Sequence, residues 1–154
     1  MRYYRVSEKF GEKHLCVEAR DGVLTSLSSI NEMVREFRDL LDIGKVDIAQ
    51  PDVGRVGGLT EAMKVCDMAA ERGRQIIPHC WKTGISISAS AHLAAVTPHC
   101  PFFEYLPAES TDSKLRQELV QDDLKLVDGK LAIPQKPGLG IEVNMDALNR
   151  FKQD

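Results

Sequence analysis

Three side chains capable of acid–base chemistry lie in or directly after short apolar runs of the chain: Asp52, His79 and Glu104. A carboxylate placed behind a histidine orients the imidazole and raises its basicity, which is what a general base requires. Glu104 is flanked by aromatic residues, and a carboxylate in an apolar run is costly to bury unless it is paired or functional. Together these residue types point to proton transfer, provided that the fold brings them together.

Each of the three also has a plain structural explanation. Asp52 suits the start of the glycine-rich turn that follows it, or a solvated loop position. His79 follows Pro78 and fits a core histidine with satisfied hydrogen bonds. A single charged residue such as Glu104 in an apolar run does not by itself establish a site, so the chemical interpretation depends on the three occurring together.

Apolar spacing predicts helices and strands in alternation along the middle of the chain. Apolar residues at helical spacing indicate two helices: Ile30, Met33, Val34, Phe37, Leu40 and Leu41 in the first, and Ala62, Val65, Cys66, Ala69 and Ala70 in the second. A third helix of small residues is predicted for 86–96. Short apolar runs predict strands at 46–50, 75–79 and 102–106. Gly73 is placed to end the second helix as a C-cap glycine does.

Strands that alternate with helices at this spacing imply parallel βα units, because parallel neighbours need a crossover helix. In such units the carboxyl ends of the strands meet on one face, where active sites form. The three acid–base residues are therefore expected to converge. Beyond residue 112 the chain becomes charge-rich and then Pro- and Gly-rich, with a tight turn at Asp128-Gly129 and a short final helix led by Asn144. We expect this part to pack beside the βα units as an extension.

Composition sets wider limits. The chain has 154 residues, of which 43% are hydrophobic, and a net charge of −3, so one domain with a single core is expected. This charge provides no basic field for nucleic acid, and the sequence shows no apolar stretch long enough for a signal peptide or a membrane span. We therefore expect a cytoplasmic protein without nucleic-acid or membrane partners.

The four cysteines lack CxxC spacing and lie in apolar or motif-bearing segments: Cys16, Cys66, Cys80 and Cys100. This distribution predicts reduced, mostly buried thiols with packing roles. A redox or metal-binding role for the cysteines is an alternative that no ligand spacing supports.

Five motifs in sequence order resemble the mandelate racemase subgroup of the enolase superfamily, with acid-sugar dehydratases and cycloisomerases as the nearest kind. The motifs are Asp47-Ile-Ala-Gln-Pro-Asp52 with its glycine turn, Ile77-Pro-His79-Cys-Trp-Lys-Thr-Gly84, His92-Leu-Ala-Ala with Phe103-Glu104-Tyr-Leu, and the closing Lys136-Pro-Gly-Leu-Gly-Ile-Glu142. The resemblance runs from about Ser29 to the C-terminus. It implies a partial (β/α) TIM barrel over residues 30–108, a C-terminal extension over 109–154, and a separate segment over 1–29.

The resemblance also implies roles for individual residues. Asp52 would hydrogen-bond His79 and fix its tautomer, so that His79 takes or delivers a proton at the carbon next to a carboxylate. Glu104 would hydrogen-bond the substrate carboxylate as the enediolate forms. Trp81, Lys82 and Thr83 would face the substrate without assigned roles, and a solvated loop cation is the alternative for Lys82.

The resemblance further implies Mg²⁺ held by three acidic residues on earlier strands, and an opposite-face lysine on an earlier strand still. The position expected for the last metal-binding glutamate falls near Ser29. Residues 1–29 allow two interpretations. In one, 14–18 is a degenerate barrel strand and Glu18 or Asp21 is a displaced metal ligand. In the other, the segment resembles the opening hairpin of the capping domain, turning at Asp21-Gly22.

Two functions follow as hypotheses. In the first, the chain is the C-terminal part of a Mg²⁺-dependent acid-sugar dehydratase, cycloisomerase or racemase, active when another chain supplies the missing strands and ligands. In the second, it is a truncated, inactive fragment or a self-associating binding module that retains the Asp/His pair. Because three strands cut from an eight-stranded barrel expose two edges, a homo-oligomer is expected in either case.

Overall fold

A computed structural model describes the backbone of residues 2–9, 12–18 and 24–152, and the side chains of residues 33–152. The chain begins with an antiparallel sheet of three strands: β1 (Arg2–Lys9), β2 (Glu12–Glu18) and β3 (Leu24–Ser26). Strand β2 lies between the other two and is antiparallel to both. A barrel strand would instead pair in parallel with its neighbours. The predicted turn at Asp21-Gly22 lies outside the described residues.

Helices and strands then alternate in the order that the apolar spacing predicts. Helix α1 (Leu27–Asp42) leads into β4 (Ile48–Ala49), and α2 (Leu59–Glu71) leads into β5 (Gln75–Ile76), which pairs in parallel with β4. Helix α3 (Gly84–Val96) comes next. These elements form two βα units, β4 with α2 and β5 with α3. The strand ladders are two residues long, shorter than the five-residue runs that were predicted, but three further backbone hydrogen bonds join the two segments, from Gln75, Ile77 and His79 to residues 47, 49 and 51.

Helix α2 ends as the glycine predicts. Gly73 has a φ of +63°, in the left-handed region. Its amide donates to Ala70 O, and the amide of Arg74 donates to Ala69 O. These two bonds form a Schellman motif, which satisfies carbonyls that the end of the helix leaves free. The motif turns the chain back toward β5, which positions His79 beyond it.

The predicted strand at 102–106 is wrong. Residues 101–107 belong to no helix or strand, and this segment forms no strand pairing with the described residues. On that side of β5, the amide of Ile76 donates to His99 O, and the amide of Cys80 donates to the Glu104 side chain. A ladder requires a neighbouring strand on at least one side. The apolar pattern of 102–106 describes burial only in part, since Phe103 and Tyr105 pack against the core while Phe102 is 71% exposed. The pattern does not supply a neighbouring strand.

The remaining elements form the C-terminal extension. They are a 3-10 turn (Ala108–Ser110), α4 (Lys114–Glu118), the hairpin β6 (Leu126–Val127) and β7 (Lys130–Leu131), and α5 (Met145–Phe151). Asp128 and Gly129 form the hairpin turn with positive φ angles of 49° and 72°. The Asn144 side chain caps α5 by accepting from the amides of Asp146 and Ala147, as expected for an N-cap residue.

Two apolar clusters hold these elements together. The first joins α1, α2 and α3 to the strands, with Leu41, Val65, Ile76 and Leu93 almost fully buried. The second joins α3 to the extension through buried side chains: Cys80, Ile87, Ala91 and Leu124. Cys80 thus ties the segment after β5 to the extension. None of the described helices is both long enough and apolar enough to cross a bilayer.

Candidate active site

The site is built at the carboxyl ends of β4 and β5. Pro51 and Pro78, both fully buried, follow these strands and fix the direction in which the chain leaves each one. Asp52 comes directly after Pro51. Its backbone carbonyl accepts hydrogen bonds from the amides of Arg55 and Val56, and its Oδ1 accepts from Gly54 N at 2.8 Å. The turn therefore holds the Asp52 carboxylate in one orientation.

Asp52 and His79 are in contact. Asp52 Oδ2 lies 3.2 Å from His79 Nδ1. The Asp52 side chain is 5% exposed, whereas that of His79 is 36% exposed. Because a carboxylate can only accept, Nδ1 must carry the proton of this hydrogen bond. The remaining ring nitrogen, Nε2, is then the unprotonated one in the neutral imidazole, and the half-exposed ring is open to a ligand.

Two cationic side chains also contact the Asp52 carboxylate. Lys82 Nζ lies 3.4 Å from both carboxylate oxygens, and Arg55 Nε lies 3.5 Å from Oδ2. Lys82 therefore contacts the buried carboxylate while its side chain stays 38% exposed, and its place facing a substrate stays a prediction. A buried carboxylate needs such compensation, because an unpaired charge is costly to remove from water.

Arg55 was not among the residues singled out from the sequence. The signal that could have found it is its position three residues after Asp52, inside a turn whose amides point back to the Asp52 carbonyl. This spacing places the Arg55 side chain close to the Asp52 carboxylate. Its side chain is 68% exposed, so its pairing with Asp52 is the more solvated of the two cation contacts.

Residues 79–81 alternate between the two faces of an extended segment. His79 is half-buried, Cys80 is fully buried and Trp81 is 62% exposed. This is the alternation of extended backbone, in which side chains i and i+2 share a face. His79 and Trp81 accordingly lie side by side, with their ring centroids 6.3 Å apart and an angle of 22° between the ring planes.

Glu104 reaches the site from the next segment. Its Oε2 accepts a hydrogen bond of 2.8 Å from the amide of Cys80, which fixes Glu104 directly beside the backbone of His79. Burial raises the pKa of the Cys80 thiol, with nearby Ser90 and Ser86 hydroxyls opposing the shift. Cys80 therefore stays a neutral packing residue whose main-chain amide, and not its thiol, takes part in the site.

Among the described residues, no hydrogen bond joins the Thr83 side chain to Asp52, His79 or Glu104. Thr83 occupies the N-cap position of α3, where its side chain makes no capping hydrogen bond. A cleft of about 280 Å³ opens beside the site between α1 and the end of β4. Its lining includes Met33, Phe37, Gln50, Asp52 and His79.

The described residues do not fit the expected Mg²⁺ site. Within residues 33–152, no three His, Cys, Asp or Glu side chains come together as metal ligands. Of the two weak candidates, Asp21 lies outside the described residues, and Glu18 is described only as backbone at the end of β2. Asp52 itself is committed to His79 and to two cations, which is a poor environment for a divalent metal.

Parallel βα units with an Asp/His pair at their carboxyl ends define part of a (β/α) barrel enzyme fold. The family of enolase C-terminal domain-like proteins matches residues 28–147, and the chain belongs to this family. The resemblance to the mandelate racemase subgroup and the partial TIM-barrel fold are thereby confirmed. The division of the chain at residues 29 and 108 stays a prediction.

Three relatives illustrate the match. The chain is 39% identical over 117 residues to D-galactarolactone cycloisomerase of Agrobacterium fabrum, covering 73% of this chain and 31% of that enzyme. It is 37% identical over 120 residues to a provisionally named L-rhamnonate dehydratase of Caldivirga maquilingensis, covering 76% of this chain and 29% of the relative. A solved mandelate racemase/muconate lactonizing enzyme from Jannaschia sp. is 30% identical with a TM-score of 0.68, over 79% of this chain and 30% of its own.

The chain thus spans less than a third of the curated relatives that it matches. The part that matches the family includes the turn after β4, the segment after β5 and most of the extension, because these lie within residues 28–147. Dehydratase, cycloisomerase and racemase activities are properties of the family as a whole. The reaction and substrate of this chain do not follow from that class alone.

Proposed function

We propose that this chain is the base-bearing, C-terminal portion of an acid-sugar dehydratase, cycloisomerase or racemase. His79 takes or returns a proton at the carbon next to a substrate carboxylate, and Asp52 holds its imidazole in the required tautomer. The observation that carries the proposal is the contact between His79 Nδ1 and the buried Asp52 carboxylate, which leaves Nε2 available at the half-exposed edge of the ring.

Glu104 has a supporting role in this proposal. Its Oε2 is held by the Cys80 amide, so the carboxyl group is oriented beside the base. We assign Glu104, acting as a protonated acid, to donate a hydrogen bond to the substrate carboxylate oxygen, where negative charge grows as the proton leaves the substrate carbon. Trp81, Lys82 and Thr83 are assigned to the substrate side of the same loop. Of these, Lys82 brings a positive charge next to the base, which suits an anionic substrate.

Metal ligands for such a reaction have to come from outside residues 33–152, since those residues contain no suitable cluster. When bound, Mg²⁺ would stabilise the negative charge of the intermediate in enzymes of this kind. The described residues contribute the base and the group that positions it. We therefore propose that activity requires further barrel strands carrying the acidic ligands.

The proposal is tested by a replacement experiment. The C-terminal portion of the Agrobacterium cycloisomerase that aligns with residues 28–147 is exchanged for those residues of this chain. The chimera should convert D-galactarolactone with Mg²⁺ present, and His79→Asn should lower the rate at least about a hundredfold, because general base catalysis contributes that much. Lys114→Met, on the exposed surface of α4, serves as the matched control. A folded chimera that is inactive, or one that His79→Asn does not slow, would contradict the proposal.

The second candidate is an inactive fragment or self-associating binding module that retains the Asp/His pair. The observation that favours it is the same missing cluster of acidic ligands among the described side chains. The two candidates differ in whether the chain supports Mg²⁺-dependent turnover once the missing strands are supplied. Any ligand that binds only the folded state raises the melting temperature. A rise in Tm with millimolar Mg²⁺, abolished in Glu18→Gln or Asp21→Asn, would favour the enzyme, and an unchanged Tm together with an inactive chimera favours the fragment.

We also propose that the chain forms a homo-oligomer. Strand β4 pairs with β5 on one side, and on the other side the backbone groups of Ile48 and Gln50 have no backbone partner among the described residues. The Ile48 side chain is 43% exposed on the same strand. Free strand edges recruit other strands. Sedimentation at micromolar concentration should show a dimer or a larger species, and a compact monomer would refute this proposal.

A further inference from the structure

A buried ion pair lies where the C-terminal extension meets two segments of the site, the base loop (79–84) and the acid segment (104–106). It joins Arg116 of α4 to Asp123, with Arg116 Nη1 2.5 Å from Asp123 Oδ2. The Arg116 side chain is 3% exposed and that of Asp123 is 15% exposed. Among the described residues, neither side chain is hydrogen-bonded to the base or to the acid, so the pair acts on the site only through these two segments.

Arg116 is attached to the acid segment. Its Nη2 donates to Leu106 O at 2.9 Å, two residues beyond Glu104. Glu104 in turn accepts the hydrogen bond of 2.8 Å from the Cys80 amide. The acid segment is therefore held at both ends, by Cys80 of the base loop at one end and by Arg116 at the other.

Asp123 lies against the last residue of the base loop, which is also the first residue of α3. A Cβ atom added at Gly84 would lie 2.7 Å from Asp123 Oδ1 and 2.8 Å from Val120 Cγ2. Both distances are too short for a real side chain, so the glycine is what allows the extension to approach α3 this closely. The Asp123 carboxylate also lies near the positive end of the helix dipole, which favours its negative charge.

Stability alone does not explain this ion pair. Arg116 Nε is buried and has no hydrogen-bond partner among the described residues, which makes the guanidinium more costly to bury. Apolar side chains of similar volume often replace a buried ion pair without loss of stability. An apolar pair would lack the directed bond to Leu106 O, which ties the extension to the acid segment.

We infer that Arg116 is a positioning residue, which through its pair with Asp123 fixes the distance between the base loop and the acid segment. Its guanidinium bonds one segment at Leu106 O, and its partner carboxylate lies against the other at Gly84. The Cys80 amide bonds the acid segment across the same gap, so that bond depends on the spacing that Arg116 sets. The inference rests on the proposed function for the roles of the two segments, whose relative placement then affects the rate.

The amide proton of Cys80, followed in the ¹⁵N-labelled chain, reports this spacing without any turnover. Arg116→Met should move its chemical shift upfield, the direction expected when the hydrogen bond to Glu104 lengthens. Gly84→Ala should also move it, because the added Cβ displaces the extension while the ion pair stays intact. Arg116→Lys keeps a charge for Asp123 and should give a smaller change than Arg116→Met.

A double variant separates position from stability. Arg116→Met/Asp123→Leu replaces the pair with apolar side chains and leaves the net charge of the chain unchanged. Its free energy of unfolding should return toward that of the natural chain, because neither charge is left unpaired. The Cys80 amide shift should nevertheless stay displaced, since the bond to Leu106 O is still missing.

Arg72→Met is the matched control. Arg72 also bonds a carboxylate and a main-chain oxygen, those of Asp42 and Met68, but it lies before β5 whereas the base loop follows that strand. This variant should leave the Cys80 amide shift unchanged, whatever its effect on stability.

Three results would overturn the inference: an unchanged Cys80 shift in Arg116→Met, a shift that returns to its natural value in the double variant, or an equal displacement in Arg72→Met. The proposed function fails separately, in the chimera. In an active chimera, Arg116→Met should lower kcat at least about tenfold and change KM less than about threefold, because misplaced catalytic groups affect the transition state most. An unchanged kcat would also contradict the inference. Displaced Cys80 shifts together with an inactive chimera would refute the role of the base and leave the positioning by Arg116 intact.

Discussion

His79 Nδ1 lies 3.2 Å from Oδ2 of Asp52, and the two residues are separated by 27 positions in the chain. They meet because β4 and β5 are parallel neighbours and each is followed by a buried proline that directs the next residues to the same edge. The contact combines a carboxylate that is buried with an imidazole that is half-exposed. This is the asymmetry that a positioned base needs, with the orienting group inside and the reacting nitrogen outside.

Asp52 also stabilises the turn that carries it. Its Oδ1 accepts from the Gly54 amide, so Asp52→Ala leaves that amide and the His79 Nδ1–H without their acceptor and the Lys82 ammonium without its counter-ion. We expect the free energy of unfolding to fall by about 1–2 kcal/mol in urea titrations. Asp52→Asn retains an oxygen for Gly54 and should lose less than half as much. Equal losses in the two variants would show that the Gly54 bond contributes little.

Arg116 is the most deeply buried cation among the described residues. Its guanidinium donates to Asp123 at 2.5 Å and to Leu106 O at 2.9 Å, and its side chain is 3% exposed. Arg116→Met removes one partner of a buried ion pair and leaves Asp123 uncompensated. The expected loss is about 3 kcal/mol of unfolding free energy, measured by urea titration.

Lys136→Met is the matched control for Arg116. The Lys136 ammonium lies 3.5 Å from Asp122, and both side chains are well exposed. Solvated pairs of this kind contribute little, so the change should stay below about 0.5 kcal/mol. If Arg116→Met cost no more than Lys136→Met, the attachment of the extension through Arg116 would be unimportant for stability.

Apolar periodicity was sufficient to predict α1 and α2, whose apolar residues pack toward the strands. Helix α3 was predicted from its run of small residues instead, and its buried residues include the consecutive run 87–91. The convergence of Asp52 and His79 also followed, since carboxyl ends of parallel strands share one edge. These predictions rest on local pattern and on a topological rule. Neither requires knowledge of what lies on the other side of the sheet.

The predicted strand at 102–106 failed because pairing depends on a neighbour that no local pattern specifies. Glu104 uses its side chain, not its main chain, to bond the Cys80 amide. The burial of Arg116 was also missed. A charge-rich run reads as a solvated face, and only the three-dimensional structure shows that Asp123 and Leu106 O surround one of its cations.

The buried thiols make the free energy of unfolding depend on pH in the alkaline range. Burial raises the pKa of Cys66 and of Cys80 above the ordinary thiol value. In the unfolded chain these thiols ionise near pH 8.5, while in the folded chain they stay neutral to higher pH. Their contribution to stability is therefore complete below about pH 8 and is lost as pH rises through the folded pKa values, because the unfolded state releases protons first.

Urea titrations at neutral pH and near pH 9.5 measure this dependence. The unfolding free energy of the natural chain should fall over this interval, and the fall should be smaller in a Cys66→Ala/Cys80→Ala variant. Tyr105, whose pKa burial also raises, is common to both proteins and cancels in the comparison. A decline of the same size in the two proteins would exclude the thiols as its cause.

The most direct test of the account is the tautomer of the neutral His79 ring, read from nitrogen chemical shifts and long-range nitrogen–proton correlations of the ¹⁵N-labelled chain. Because the Asp52 carboxylate can only accept, we predict the tautomer protonated at Nδ1, with Nε2 free to take a proton. Asp52→Ala should shift the population toward the Nε2-protonated form. A predominantly Nε2-protonated ring in the unmodified chain would contradict the claim that Asp52 positions His79 as a base.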